Sequence, residues 1–159
     1  MNEKNSIYNL LIQMLKDRYG SQLKMAVLFG SQARQEATPE SDHDIFLLID
    51  DLPTDPLARQ RDVRSVLLPI LYHLPGSISF VAKTSQEVNR NLTPLLLDIF
   101  VDGVPLYGKA KFHNYQQKVT SALRQSGLQR QRVADTWMWF FPHNPGGNWV
   151  LDWEGYHAN

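Results

Sequence analysis

Apolar residues recur along this chain with two different spacings, and these spacings predict both helices and strands. Residues 6–19 carry apolar side chains on one helical stripe, and Gly20 is a natural end for that helix. Largely apolar runs at 24–29, 43–49 and 77–82 predict three strands. Because helical and extended segments alternate, the pattern predicts an α/β fold.

Cap and turn residues predict further helices between and after these strands. Thr84 and Glu87 have the spacing of a capping box, in which each side chain accepts from the backbone N–H of the other residue, so a short helix is expected there. The remaining predicted elements are a short helix or turn over 31–36, a helix over 56–72 that is interrupted near Pro69, a helix that begins at Pro94, and an extended piece over 104–107.

The last third of the chain is predicted to be mainly helical. Residues 109–141 are expected to form a helix that breaks near Ser126–Gly127. We therefore divide the chain into a core over residues 1–108 and a C-terminal extension over residues 109–159. The extension is expected to pack on the core or to form an interface.

Aromatic residues are concentrated in this extension. Val133, Trp137 and Phe141 follow one stripe of the predicted helix, and all four tryptophans of the chain lie in the extension: Trp137, Trp139, Trp149 and Trp153. Three roles are open: packing back over the core, which we favour slightly, contact with a protein partner or a second copy, and stacking on nucleic-acid bases. The net charge of zero argues against nucleic acid.

Composition indicates a single globular domain and excludes several classes of site. The chain has 159 residues, of which 43% are apolar and 20% charged, and this is enough for a sizeable core. There is no cysteine, so disulfides and thiolate metal sites are excluded. No apolar run reaches the roughly 18 residues of a membrane span, and the start has no signal-peptide pattern, so a cytoplasmic location is expected.

A glycine–serine turn and a pair of aspartates supply the candidate chemistry. Gly30 and Ser31 follow the strand at 24–29, and such a turn can bring backbone N–H groups and a hydroxyl to a phosphate. Asp42 and Asp44 open the next strand, where alternation places both carboxylates on one face. Two ionised carboxylates repel each other, and a divalent cation such as Mg²⁺ or Mn²⁺ is their usual counter-charge. Together the two features suggest nucleotide transfer from a triphosphate.

This combination resembles the nucleotidyltransferase superfamily that has the DNA polymerase β-like fold, and within it the small minimal nucleotidyltransferases. The residues that carry the resemblance are Gly30, Ser31, Ala33, Arg34, Ser41, Asp42 and Asp44. It implies a small mixed β-sheet flanked by helices. The implied metal ligands and catalytic residues are Asp42 and Asp44, and the implied nucleotide-binding residues are Gly30, Ser31, Arg34 and Ser41. Arg34 is expected to pair with a phosphate or with a carboxylate of the site.

Two positions depart from the family pattern. Gln35 follows Arg34 where the family usually has glycine. Ser79 stands on the third predicted strand where the family carries a third acid, and no Asp or Glu lies between Asp62 and Glu87. In the family that third carboxylate helps to activate the attacking hydroxyl. Its replacement by serine removes a strong general base but leaves the two aspartates in place.

The resemblance therefore implies two functions of different classes. The first is a Mg²⁺-dependent enzyme that transfers a nucleoside monophosphate from an NTP to a hydroxyl of a protein, a small molecule or an RNA, with weak activity because of Ser79. The second is a degenerate, non-catalytic binding protein, such as an antitoxin or a regulatory subunit. Small members of this kind often pair with a HEPN-type toxin, so such a toxin or a second copy of the chain is the expected protein partner, and no membrane is involved.

Overall fold

A four-stranded mixed sheet forms the centre of the structure, a computed structural model that describes residues 2–73 and 75–158. Its strands are β1 (Leu23–Phe29), β2 (His43–Ile49), β3 (Ile78–Lys83) and β4 (Val104–Tyr107). They lie in the order β3–β2–β1–β4. β1 is antiparallel to both β2 and β4, whereas β2 and β3 are parallel. The predicted α/β class and the mixed sheet are confirmed.

Helices cover both faces of this sheet. The longer helices are α1 (Glu3–Tyr19), α3 (Pro56–Leu67), α5 (Pro94–Asp102) and α6 (Lys109–Ser126), and the short ones are α2 (Gly30–Ala33) and α4 (Ser85–Arg90). α2 is shorter than the predicted 31–36. As predicted, Pro69 interrupts α3, whose last turn continues as a 3₁₀ helix over Leu68–Ile70. The predicted capping box also forms, with Thr84 and Glu87 each accepting from the backbone N–H of the other.

Alternation along β2 divides the core into two layers. Ile45, Leu47 and Ile49 belong to the cluster that includes residues of α1 and α3. Phe46 and Leu48 face the opposite way, into the cluster that includes residues of α5 and α6. Because side chains alternate with a period of two, Asp44 lies on the same face as Phe46 and therefore on the α5 side of the sheet.

The predicted helix over residues 109–141 is wrong beyond Ser126. Gly127 has a φ of +70° and ends α6, and the chain then forms two hairpins, β5 (Gln129–Val133) with β6 (Thr136–Phe140), and β7 (Trp149–Asp152) with β8 (Gly155–Ala158). Ala134 and Asp135 have φ values of +48° and +66°, which form the two-residue turn that joins β5 to β6. The stripe of Val133, Trp137 and Phe141 is therefore not helical. The spacing that matters is the alternation of arginines on β5 and of tryptophans on β6.

Two of the four tryptophans pack back onto the core. Trp139 and Trp153 lie against the α5–α6 cluster, and each indole N–H donates to a core element, to Asp98 Oδ1 at 2.9 Å and to the Val88 carbonyl at 2.7 Å. Trp149 is 43% exposed. Within the described ranges, no helix is long and apolar enough to cross a membrane.

Candidate functional site

The glycine–serine turn lies directly beside the carboxylate of Asp44. Phe29, the last residue of β1, pairs with Asp44 at the start of β2. Gly30 follows with a φ of +72°, and a β-carbon at this position would collide with Asp44 Oδ2. Both its backbone angle and this close approach therefore require glycine. The structure thus brings together two of the features that the sequence singled out.

A buried histidine separates the two aspartates. His43 is fully buried, and hydrogen bonds join its Nδ1 to the Tyr8 hydroxyl at 2.7 Å and its Nε2 to the Pro75 carbonyl at 2.9 Å. These contacts lie on the α1 side of the sheet, so His43 points away from the aspartates, as its position in the strand predicted. The histidine anchors the start of β2 and thereby fixes the residues on either side of it.

The electrostatics of the aspartate pair favour a cation. Burial and the negative charge of Asp42 raise the pKa of Asp44, while the positive charge of Arg34 opposes this rise. Asp42 Oδ1 accepts from the Ser77 hydroxyl at 2.9 Å and from the Ser77 backbone N–H at 3.3 Å. A divalent cation would relieve the repulsion between the two carboxylates, so this donor set fits Mg²⁺ or Mn²⁺.

The pair does not form a complete metal site by itself. In the ranges 2–73 and 75–158, no cluster of three or more His, Cys, Asp or Glu residues could hold a metal ion. Mg²⁺ is commonly bound by one or two carboxylates together with substrate phosphates and water. The arrangement at Asp42 and Asp44 is therefore of the kind in which a substrate supplies the remaining ligands.

Ser79 occupies the position on β3 that is nearest to Asp44 in the sheet register. β2 and β3 are parallel, and Asp44 is paired with Ser79. Ser79 is exposed, whereas Ile78 and Phe80 on either side of it are buried. Its hydroxyl is therefore on the same face as the Asp44 carboxylate, at the place where a third acid would complete the cluster.

Arg34 lies near the site but pairs with carboxylates outside it. Its Nε donates to Glu36 Oε2 at 3.0 Å, and its Nη1 is 3.7 Å from Asp102 Oδ2 at the end of α5. It is nevertheless close enough to oppose the rise in the pKa of Asp44. The Arg34 guanidinium is thus held at the edge of the site by two acids, neither of which is Asp42 or Asp44.

The remaining polar residues of the motif shape the loop before Asp42. Ser41 Oγ accepts from the Thr38 backbone N–H at 2.9 Å, so this hydroxyl closes a tight turn. Gln32 in α2 donates to the Ser41 carbonyl at 3.2 Å. Gln35 has a φ of +60°, in the left-handed region that favours glycine, which is the residue that the resemblance implies at this position.

A pocket of about 390 Å³ lies further along the same face of the sheet, past Phe46. It lies between the end of β3, α4 and the start of α5, and its polar lining residues are Lys83, Glu87, Arg90, Asn91 and Thr93. Its lining does not include Asp42, Asp44 or Gly30. This pocket is therefore separate from the candidate site at the aspartates.

Three residues at the site escape sequence reasoning. Ser77 fixes the orientation of Asp42, and Glu36 and Asp102 hold Arg34. Asp102 is far from the motif in sequence and reaches it because α5 ends near α2. Only Glu36 carries a local signal, since it follows Arg34 by two residues.

Comparison with known proteins gives a family match over most of the chain. Residues 9–111 match the model for the family described as "Polymerase beta, Nucleotidyltransferase". This segment runs from α1 through the glycine–serine turn, both aspartates and β4 into the start of α6. It contains every residue that carries the sequence resemblance.

A relative in Methanocaldococcus jannaschii is similar over most of its length. This protein, MJ1305, is a candidate protein adenylyltransferase, and the two chains are 26% identical over 129 residues. The alignment covers 79% of this chain and 88% of the relative.

Solved structures with the same fold come from toxin–antitoxin complexes. One is a toxin–antitoxin structure with AMP-PNP, which matches with a TM-score of 0.52 and 23% identity and covers 74% of this chain and 86% of the other. Another contains a tri-AMPylated HEPN toxin from Shewanella oneidensis in complex with an MNT antitoxin, with a TM-score of 0.50, 21% identity, and coverage of 75% and 85%. At these identities the likeness shows the fold alone.

Proposed function

The chain belongs to the polymerase beta nucleotidyltransferase family, and we propose that it binds an NTP at Asp42, Asp44 and the Gly30–Ser31 turn and transfers the nucleoside monophosphate to an acceptor hydroxyl. The observation that carries this proposal is the contact between the turn and the Asp44 carboxylate. A phosphate-binding turn and a metal-binding acid are useful together only if they act on the same ligand. A metal-bound triphosphate is such a ligand.

Asp42 and Asp44 would hold Mg²⁺ or Mn²⁺ between them and the phosphates. A bound divalent ion supplies positive charge that neutralises the phosphates and the charge that develops on the leaving group. Gly30 leaves room for the Asp44 carboxylate directly beside the turn, and the Ser31 hydroxyl and the backbone N–H groups of the turn would donate to the phosphate oxygens. Arg34 would add a further cation at the edge of the site.

The reaction is a displacement at the α-phosphorus. The acceptor oxygen forms a bond to this phosphorus, the bond to the bridging oxygen breaks, and pyrophosphate leaves while the acceptor loses its proton. A carboxylate beside Asp44 on β3 would be well placed to receive that proton, and this chain has Ser79 there. We therefore expect Ser79 to slow turnover without weakening nucleotide binding.

We infer that the nucleotide is ATP and that the acceptor is a hydroxyl of a protein. The relative in M. jannaschii carries the name of a protein adenylyltransferase. The structures with the same fold include one with AMP-PNP and one with a tri-AMPylated HEPN toxin. These findings support AMP transfer to a protein, and a HEPN-type partner is the first acceptor to test.

A second candidate function is binding without catalysis. The observation that favours it is Ser79, because the position next to Asp44 lacks a carboxylate. In this case the domain keeps its fold and its affinity for nucleotide, and acts on its partner by contact. The two functions differ in turnover and not in nucleotide binding.

Label transfer from ATP distinguishes these functions. The protein is incubated with ATP labelled at the α-phosphate or at the γ-phosphate, with Mg²⁺ or with EDTA, and with a purified HEPN-type protein, a short RNA or a small polyol as acceptor. Adenylyl transfer moves only the α-label to the acceptor and releases the γ-label as pyrophosphate. Transfer of the γ-label would contradict the proposal, and binding without any transfer would favour the second function. The Asp42→Asn variant is the background control.

A further inference from the structure

Two carboxylates at the edge of the site are each shared between Arg34 and an arginine of the β5–β6 hairpin. Asp102 Oδ2 lies 3.7 Å from Arg34 Nη1 and 2.6 Å from Arg130 Nη1. Glu36 Oε2 accepts from Arg34 Nε at 3.0 Å, and Glu36 Oε1 lies 4.0 Å from Arg132 Nη1. The hairpin therefore reaches Arg34 through two separate bridges.

The hairpin is packed firmly against α5 at Arg130. Arg130 also pairs with Asp98 Oδ1 at 3.3 Å, one turn before Asp102 in α5, and its guanidinium lies 4.8 Å from the centre of the Trp137 ring. Arg132 lies 5.9 Å from the same ring. The side chains of Arg130 and Asp102 are only 14% and 16% exposed, so solvent screens this ion pair less than a surface pair.

These contacts add a part to the site that the family match does not cover. The matched segment ends at residue 111, whereas the hairpin comprises residues 129–140. Hydrogen bonding to Asp102 and Asp98 raises the pKa of Arg130, in keeping with the close contacts between its guanidinium and these carboxylates.

We propose that the β5–β6 hairpin positions Arg34 for the nucleotide, with Arg130 and Asp102 as the positioning residues. This inference rests on the proposed function, in which Arg34 faces the triphosphate. While Arg130 neutralises Asp102, the carboxylate holds Arg34 only weakly, at 3.7 Å. Without Arg130, Asp102 would pair with Arg34 alone and draw its guanidinium away from the phosphates.

Nucleotide binding and hairpin docking are therefore coupled. A ligand that uses Arg34 in its docked position favours the docked hairpin, and by linkage the docked hairpin strengthens nucleotide binding by the same factor. A partner protein that held or displaced residues 129–140 would change nucleotide affinity without touching the aspartates.

A double-mutant cycle tests this coupling by calorimetric titration of ATP in Mg²⁺. Arg130→Met is expected to weaken binding by about fivefold to tenfold in the natural chain, and by less than about twofold when Arg34→Met is already present. Arg124→Met, which removes an exposed arginine of α6, is expected to leave affinity unchanged. Equal losses from Arg130→Met in both backgrounds would overturn the inference, because a purely structural role does not depend on Arg34.

A second readout does not depend on nucleotide. The side-chain Nε–H of Arg34 donates to Glu36 and should give a distinct NMR cross-peak. Arg130→Met and Asp102→Asn are expected to shift this peak. Arg124→Met, at an exposed position of α6, should leave the peak in place. If Arg130→Met unfolds the hairpin, Arg130→Lys takes its place as a test. Lysine keeps the positive charge beside Asp102, so the Arg34 peak should stay close to its position in the natural chain.

The two readouts separate the inference from the proposed function. If the Arg34 peak responds as expected but the natural chain binds no NTP, the positioning role stands and the proposed function fails. If ATP binds but neither Arg130→Met nor Asp102→Asn moves the peak, the inference fails and the proposed function stands.

Discussion

The Asp44 carboxylate fills the space that a side chain at Gly30 would need, and this close approach joins the two halves of the site. Asp44 pairs with Phe29, so its carboxylate lies directly beside the first residue of the turn. A side chain at Gly30 would occupy the space that the carboxylate fills. The glycine therefore has a role in the site beyond the freedom of its backbone.

The first prediction is that Gly30→Ala lowers NTP affinity strongly. A β-carbon there must displace the Asp44 carboxylate, and the φ of +72° adds about 1–2 kcal/mol of backbone strain. Gly146→Ala, in an exposed loop, is the control, because its φ of +64° is close to that of Gly30 while no atom lies within 4 Å of the added carbon. Thermal unfolding should show that both variants are still folded at the temperature of the titration, and calorimetry should show lost affinity only for Gly30→Ala. Equal affinity in the two would contradict the proposed role of the contact.

The second prediction concerns the missing acid on β3. Ser79→Asp places a carboxylate beside Asp44 on an exposed position, so it should fold normally and raise label transfer from ATP by about 10²–10⁴-fold, the usual contribution of a general base. Ser79→Asn has the same shape without the charge and should give no gain. If neither variant increases transfer, the position is not that of a lost catalytic acid, and another group must accept the proton.

The third prediction is a loss of stability in acid that depends on Glu87. Arg59 donates to both oxygens of this carboxylate at 2.8 Å and lowers the pKa of Glu87 from 4.5 to about 2. Because the folded pKa lies below the unfolded one, this pair stabilises the fold above about pH 4.5, and the contribution is lost as the pH falls towards 2. Since the Glu87 side chain is 34% exposed, solvent screening reduces the expected contribution to roughly 1–2 kcal/mol.

Chemical unfolding between pH 7 and pH 2 measures this contribution. Glu87→Gln should be less stable than the natural chain at pH 7, and the difference should shrink towards pH 2. Glu154→Gln, at an exposed position in the turn between β7 and β8, should follow the natural chain at every pH. A difference for Glu87→Gln that stays constant with pH would show that the ion pair is not its cause.

The fourth prediction compares two tryptophans of the C-terminal hairpins. Trp153 donates to the Val88 carbonyl and packs against Phe100 and Tyr115, with ring centres at 5.9 Å and 4.9 Å. Trp153→Ala should therefore destabilise the protein by about 2–4 kcal/mol. Trp149 is 43% exposed, so Trp149→Ala should lower the free energy of unfolding by less than about 1 kcal/mol. Similar losses of stability from the two variants in urea unfolding would mean that Trp153 does not hold the β7–β8 hairpin against the core.

The central sheet could be predicted because its signals are local. The run over 43–49 predicted β2 with the observed bounds, and alternation alone placed His43 on the face opposite the two aspartates. The capping box at Thr84 and the break at Pro69 likewise depend on residues that are close in sequence. Such features survive folding because tertiary contacts reinforce them.

The C-terminal region was predicted wrongly because two periods compete there. Val133, Trp137 and Phe141 have helical spacing, yet Arg130, Arg132, Trp137 and Trp139 alternate with a period of two, and only this second pattern is realised. The decisive turn at Ala134–Asp135 contains no glycine, so its positive φ values carry no strong signal in the sequence. The partners of Arg34 were missed for another reason, because Asp102 and Arg130 meet it only after the chain has folded.

The proposed function requires above all that Asp42 and Asp44 hold a metal-bound nucleotide. Calorimetric titration of ATP into the natural chain, into Asp42→Asn and into Asp51→Asn, each with Mg²⁺ and with EDTA, tests this. Asp51 is exposed with a φ of +60°, which asparagine also tolerates, so its variant removes the same charge away from the site. We predict Mg²⁺-dependent binding that persists in Asp51→Asn and is lost in Asp42→Asn. Binding that is unchanged by Asp42→Asn or by EDTA would contradict the assignment of the metal and nucleotide site.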